Sequence, residues 1–273
     1  MYLRFQYHSL RRDISNFALL RHRDYTGFLV SMHQSGTHWL KHMLASAMAI
    51  RYGFPPPARA DANDVIGGMK DTPRRPGVPV IASSHSVPHR LVRSAWFRRM
   101  VKLPPYVVLV RDLRAALVAN YEKWKERYAC SFPEYLRGDM GGHRFNSDLW
   151  SCIRFCNAWG DIAARFPGQT LVVRYEDLER DALAELRRVN AFLNLDLGEE
   201  ALRGGVAAST KEKMARKADP ALPAGVAVVR HDTRHFSEWY AAPDRAFLEA
   251  ASRRLLRPGV FGYNLRSWPT SSR

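Results

Sequence analysis

The chain has 273 residues, 46% of them hydrophobic and 11% aromatic, which is enough to bury a sizeable core and excludes a globally disordered polymer. Lysine and arginine number 42 against 26 aspartates and glutamates, a net charge of +16 that favours anionic ligands. Three cysteines, Cys130, Cys152 and Cys156, exclude a closed disulfide framework and form no zinc pattern with the histidines.

In chain order, residues 1–27 carry charges throughout and no apolar signal-peptide core. No uncharged apolar run reaches the roughly 18 residues needed to span a bilayer, so a soluble chain is expected, with peripheral membrane contact left open. The cysteine usage fits a reducing compartment and a cytoplasmic location. The first predicted strand is 27–31 (GFLVS). A helical pattern follows, with Trp39, Leu40, Met43, Leu44, Ala47 and Met48 at three- and four-residue spacing. Residues 54–80, rich in Pro, Gly and Asp, read as a long surface loop.

A second strand is expected at 78–82 (VPVIA), and a third, the clearest, at 106–110 (YVVLV). Helices are expected from about 113 to 127 and over 146–166, then a strand at 170–174 (TLVVR) and helix again after 175. Cys152 and Cys156 share a helix face as small core residues. Strands alternating with helices predict an α/β fold: one domain over 1–273, with a mostly parallel central sheet flanked by helices.

Two segments sit where such a sheet binds ligands. Ser31-Met32-His33-Gln34-Ser35-Gly36-Thr37-His38-Trp39 runs from strand to helix. There, backbone N–H groups and the positive end of the helix dipole meet an anion. Gly36 permits close backbone approach, Ser35 and Thr37 add hydroxyls, and Trp39 offers a face to a base. The run is not a Walker A loop, since no GxxxxGK[ST] exists in the chain. The second segment ends a strand in Val110-Arg111-Asp112-Leu113-Arg114, placing an arginine at the carboxyl edge of the sheet. Arginine grips phosphate oxygens in a bidentate fork; an ion pair with Asp112 is the plainer alternative.

Together these segments resemble the nucleotide-dependent sulfotransferase family, whose loops read like YPKSGTTWL and VYLVRDPRDVAVSYY. Further matches come in order: Arg174-Tyr175-Glu176-Asp177-Leu178, Ser209-Thr210-Lys211-Glu212-Lys213-Met214, Arg230 with His235-Phe236, and Phe261-Gly262-Tyr263. The resemblance covers about 26–264 and implies a P-loop-kinase-like sulfotransferase fold. It also implies a sulfuryl donor, 3′-phosphoadenosine 5′-phosphosulfate (PAPS), and no metal.

Residue by residue, the resemblance gives Gln34, Ser35, Gly36, Thr37 and His38 to the 5′-phosphosulfate. Trp39, Tyr175 and Ser209 go to the adenine, and Arg111 and Arg230 to the 3′-phosphate. Ala82-Ser83-Ser84-His85-Ser86-Val87-Pro88 resembles the family's KTHLP, which implies His85 as general base.

Three positions depart from the family pattern: Gln34 stands for the loop lysine, Ala119 for a serine on the 3′-phosphate, and Ser83 for the lysine beside the histidine. His33, His38 and Lys41 are the nearby candidates for the missing charge. The expectation is an enzyme passing a sulfuryl group to a hydroxyl or amine on a small-molecule, carbohydrate or lipid acceptor, walled by 54–80 and 128–147. The alternatives are a nucleotide binder that has lost turnover, a polyanion binder and a nucleotide kinase. No nucleic-acid partner is expected, because the arginine pairs are dispersed rather than forming one aromatic-interleaved tract.

Overall fold

The apolar runs become a five-stranded parallel sheet in the computed structural model, which describes residues 1–21, 24–217, 235–265 and 268. Strands β1 (Gly27–Ser31), β2 (Gly67–Gly68), β3 (Ile81–Ser84), β4 (Tyr106–Val110) and β5 (Thr170–Arg174) lie in the order β2-β3-β1-β4-β5. Helices α1 (Tyr2–Ser15) and α2 (Ala18–Arg21) precede the sheet, α3 (Thr37–Tyr52) follows β1, and α4 (Ala95–Met100) follows β3. Between β4 and β5 run α5 (Leu113–Tyr128), α6 (Phe132–Arg137) and α7 (Leu149–Arg165). After β5 come α8 (Tyr175–Arg180), α9 (Ala182–Leu193), α10 (Glu199–Ala207), α11 (Lys211–Arg216) and α12 (Ala242–Leu255).

The two central strands are buried at every position, as strands covered on both faces must be. Period-two alternation divides them between two cores. Phe28, Val30, Tyr106, Val108 and Val110 belong with Leu117, Ile153, Trp159 and Leu248 of α5, α7 and α12. Leu29, Val107 and Leu109 belong with Met43, Leu44, Leu186 and Leu202 of α3, α9 and α10. Each such aliphatic or aromatic side chain contributes about 1.5–3 kcal/mol by leaving water.

Helix α3 lies between the sheet and α10, so residues 40–49 are all buried. Gly205 makes that crossing close: a Cβ there would stand 2.4 Å from the Met43 carbonyl oxygen.

Strands β1, β4 and β5 coincide with the expected segments. The strand expected at 78–82 begins later, at Ile81. Pro79 has no N–H for a ladder, and Val80 is occupied by Thr26, whose N–H donates to its carbonyl at 2.8 Å while the Val80 N–H donates to Oγ1 at 3.0 Å. The loop 54–80 is not wholly irregular, since β2 pairs with β3 inside it. The helix expected over 146–166 starts at Leu149, where Asp148 and Ser151 form a reciprocal capping box. Helices α1 and α2 had no counterpart in the sequence reading.

Candidate active site

At the carboxyl end of β1 the chain turns into α3 through two residues with left-handed backbone, Gln34 (φ 61) and Gly36 (φ 90). Glycine at 36 answers two demands, because a Cβ would also stand 2.7 Å from the Tyr175 ring. No side chain caps the first turn of α3, which leaves its N–H groups for an outside acceptor. Ser35 and Thr37 direct their hydroxyl protons inward instead. Ser35 Oγ donates to the carbonyls of Met32 (2.5 Å) and Leu109 (3.2 Å), and Thr37 Oγ1 donates to Ser31 Oγ (2.8 Å). Their side chains hold the loop's shape; what the loop offers an anion is backbone N–H.

His85 follows β3, the neighbour of β1, so the parallel register brings it to the same edge. Its Nδ1 lies 2.9 Å from the Ser31 carbonyl oxygen and 3.1 Å from Ser31 Oγ. A carbonyl only accepts, so Nδ1 carries the proton and Nε2 keeps its lone pair. The His33 ring stacks on His85 at 3.9 Å. His85 is exposed at this edge, yet the protein packed against its ring pushes its pKa down by desolvation. The Ser31 carbonyl opposes this, and the charges of Lys123 and Lys41 add to it. One side of the ring remains open to solvent, which moderates the shift until a ligand expels that water.

Arg111, just past β4, donates from Nη1 to the Gln34 carbonyl at 3.2 Å and lies over the Tyr175 ring at 4.1 Å. Tyr175 meets Trp39 edge-on at 6.2 Å. Trp39 Nε1 donates to the Ser209 carbonyl at 2.9 Å, and Ser209 Oγ is 2.7 Å from His42 Nδ1. Gln34, Arg111, Tyr175, Trp39 and Ser209 are thus joined by direct contacts, and Ser35, Gly36 and Thr37 continue the same loop from Gln34. Asp112 is taken by Arg114, whose Nη2 donates to Oδ2 at 2.5 Å, so the pairing of Arg111 with Asp112 is not the one formed. Glu176 accepts from the Asp112 N–H (2.9 Å) and the Tyr263 hydroxyl (2.6 Å), tying the RYED and FGY segments to this edge. Arg230 lies outside the described residues.

The candidates for the missing loop charge sort themselves by how far desolvation lowers their pKa. His33 is held down to about 3, by desolvation first and then by His85 and Lys123. His38 is held down to about 4 by desolvation, then by Lys123 and Lys41. Both are neutral at pH 7 and supply no cation. Lys41 is buried, pulled down to about 8 by desolvation, and donates to Asn63 Oδ1 of the 54–80 loop.

The residue that sequence reasoning missed is Lys123 of α5, half-buried, whose charge disfavours protonation of His33, His38 and His85 alike. A signal for it was present: Lys123 lies one helical turn beyond Ala119, so the two share a face. Among the described residues no group of three or more His, Cys, Asp or Glu is placed to hold a metal ion.

A parallel sheet, an uncapped helix N-terminus at its carboxyl edge, a facing arginine and an oriented imidazole define a group-transferring enzyme that binds an anionic donor. Residues 26–237 match the model of the sulfotransferase domain family, and the chain belongs to that family. Among solved structures it is similar to mouse sulfotransferase SULT7A1 complexed with PAP, at a TM-score of 0.58 and 16% identity, covering 92% of each chain. It is also similar to retinol dehydratase in complex with androsterone and inactive cofactor PAP, at a TM-score of 0.56 and 14% identity, covering 89% of this chain and 84% of that one. No curated protein matches the chain at the level of sequence. No described helix is long and apolar enough to cross a membrane.

Proposed function

We propose that this sulfotransferase takes its sulfuryl group from 3′-phosphoadenosine 5′-phosphosulfate and delivers it to an acceptor hydroxyl, with His85 as general base. The observation that carries the reading is the Nδ1 contact of His85 with the Ser31 carbonyl at 2.9 Å, which leaves Nε2 as a proton acceptor beside the uncapped loop. The residues suit this donor. The N–H groups of 34–38 meet the 5′-phosphosulfate, Trp39 and Tyr175 flank the adenine with Ser209 at its edge, and Arg111 meets the 3′-phosphate. Arg230 is assigned to the same phosphate on the sequence resemblance alone.

The donor supplies an activated sulfuryl group on a phosphate leaving group. The acceptor oxygen forms the new S–O bond as the S–O bond to phosphate breaks, and the acceptor proton passes to His85 Nε2. The chain's contribution is alignment of three bodies and stabilisation of charge on the leaving phosphate. Gln34 donates a hydrogen bond without charge, and Lys123 supplies the cation. The 54–80 and 128–147 segments wall the acceptor, and the +16 charge favours an anionic carbohydrate or lipid head group over a neutral phenol.

Calorimetric titration with 3′-phosphoadenosine 5′-phosphate, against adenosine 5′-phosphate as control, tests the donor site. Tight binding that requires the 3′-phosphate, and its loss by roughly tenfold or more in Arg111→Ala, is the expected result. Equal affinity for the two nucleotides would remove the donor assignment. Incubation with PAPS and a panel of carbohydrate, lipid and phenolic acceptors then reads turnover. A protein that binds the nucleotide but never releases the desulfated product is the inert binder.

A further inference from the structure

Helix α1 presents its apolar residues the wrong way for a helix whose only task is to pack. One face is tied to the body of the protein. Phe5 and Asp13 are buried, Asp13 Oδ2 lies 3.4 Å from Arg93, and His89 Nε2 donates to the Ile14 carbonyl at 2.9 Å. Arg12 donates to the carbonyls of Gly141 (2.8 Å) and Gly142 (2.6 Å). The other face carries Leu3, Tyr7, Leu10 and Ile14, spaced to form one stripe, with exposures of 82%, 61%, 37% and 48%. Seven of the ten exposed large apolar side chains among the described residues fall within residues 1–17, so this is a patch and not scattered exposure.

The patch is basic and has a second part. Arg4 and Arg11 stand exposed beside the stripe, and the one acid of the helix, Asp13, is taken by Arg93. Phe17 stacks on His89 at 4.7 Å, which leads into the turn Arg90–Arg93 and helix α4. There Trp96 and Met100 are 63% and 67% exposed, and Arg90 and Arg99 are exposed with them. A shallow cleft of about 510 Å³ opens at this turn, lined by Arg90, Arg93, Arg165 and Trp96 together with Asp161. Asp161 is already paired with Arg257 at 2.7 Å.

We propose that α1, with the adjoining turn and α4, is a docking surface for an anionic lipid bilayer. Aliphatic and aromatic side chains on one stripe enter the boundary between head groups and acyl chains, and tryptophan and tyrosine favour that boundary. The arginines meet lipid phosphates. Charge decides the occupant: a second copy of a +16 chain would bring arginines against arginines, with no free acid on α1 to answer them, whereas an anionic bilayer supplies the opposite sign. The inference is independent of the sulfuryl-transfer reading, since none of the exposed side chains of this surface belongs to the donor loop or to the segments that wall the acceptor.

Flotation of the full chain with phosphatidylcholine vesicles, with and without one part in three phosphatidylserine, tests it. Binding to the anionic vesicles at least tenfold above the neutral ones is expected, weakening as salt rises. Tyr7→Ser with Leu10→Ser lowers binding by tenfold or more, and Arg4→Gln with Arg11→Gln lowers it by about fivefold per charge removed. Both double variants keep the wild-type circular dichroism spectrum and nucleotide affinity. The proposal is overturned by absence of binding to anionic vesicles, or by binding that Tyr7→Ser with Leu10→Ser leaves unchanged. It is equally overturned by a dimer in light scattering that the same pair dissolves, which would make the stripe an interface between copies.

Discussion

At the scale of the residue, the site turns on where charge is kept and where it is refused. Desolvation by the protein packed against His85, with the charges of Lys123 and Lys41, disfavours its charged form, and its tautomer follows from the Ser31 carbonyl. A base whose pKa lies below the ordinary imidazole range keeps its lone pair under mild acid. The acid limb of kcat/KM should therefore fall below the pH of about 6.5 at which a free imidazole titrates. His85→Ala should lower turnover by about 10²–10⁴-fold while nucleotide affinity stays within a factor of about two. An alanine variant with full turnover would end the assignment.

Lys123 is the counterpart on the charged side. It is half-buried, and desolvation, partly offset by Asp61, pulls its pKa below the usual lysine range. If it carries the charge that Gln34 lacks, Lys123→Ala should cost about 10²–10³ in turnover. The affinity for 3′-phosphoadenosine 5′-phosphate should be little changed. Adding Gln34→Lys to that variant should recover activity, because it restores a cation at the loop. A purely structural Lys123 predicts no such rescue, which is what makes the double variant informative. The basic limb of the rate profile should also move down from the range of a free lysine.

At the scale of the element, legibility followed burial. Strands β1 and β4 were readable to the residue because apolar runs covered on both faces have sharp polar ends, and the half-buried edge strand β5 was readable from its apolar run between Thr170 and Arg174. Strand β3 was displaced because hydropathy does not register that Pro79 lacks an N–H. The short β2 was invisible, since two glycines carry no pattern at all. Helix α1 went unread for the opposite reason: its apolar stripe faces outward among arginines, so it resembles neither a core helix nor a signal peptide.

The loop backbone and Arg111 were legible from motif order. Lys123 was not, since its role depends on which face of α5 looks toward the histidines. Element packing gives its own test at Gly205. A Cβ there meets the Met43 carbonyl, a backbone atom that cannot rotate away. Gly205→Val should cost about 1–3 kcal/mol, as overpacking in cores does, read as a lower urea midpoint at unchanged m-value. An unaltered midpoint would mean that α3 and α10 separate without cost.

At the scale of the whole molecule, the histidines whose charge desolvation disfavours couple folding to pH, and the sign can be worked out. His33, His38 and His42 are held to about 3, 4 and 4, chiefly by desolvation, whereas an unfolded imidazole titrates near 6.5. Between those values the unfolded chain binds protons that the folded chain refuses, so stability falls as pH falls. The penalty is absent above about 6.5 and grows until the folded pKa values are reached, at about 1.4 kcal/mol per pH unit for each histidine fully engaged.

Asp13 and Asp148, whose carboxyls burial pushes up, act in the other direction, but only nearer the carboxylate range. The net charge of +16 rises further as histidines charge in the unfolded chain, and self-repulsion there does not reverse the sign. Urea unfolding at pH 7, 6 and 5 should therefore show a midpoint that drops between 6.5 and 5, before ordinary carboxylates titrate. A flat midpoint across that window would show that these imidazoles are charged in the folded protein. It would also return His33 and His38 to contention as the cations of the transfer site.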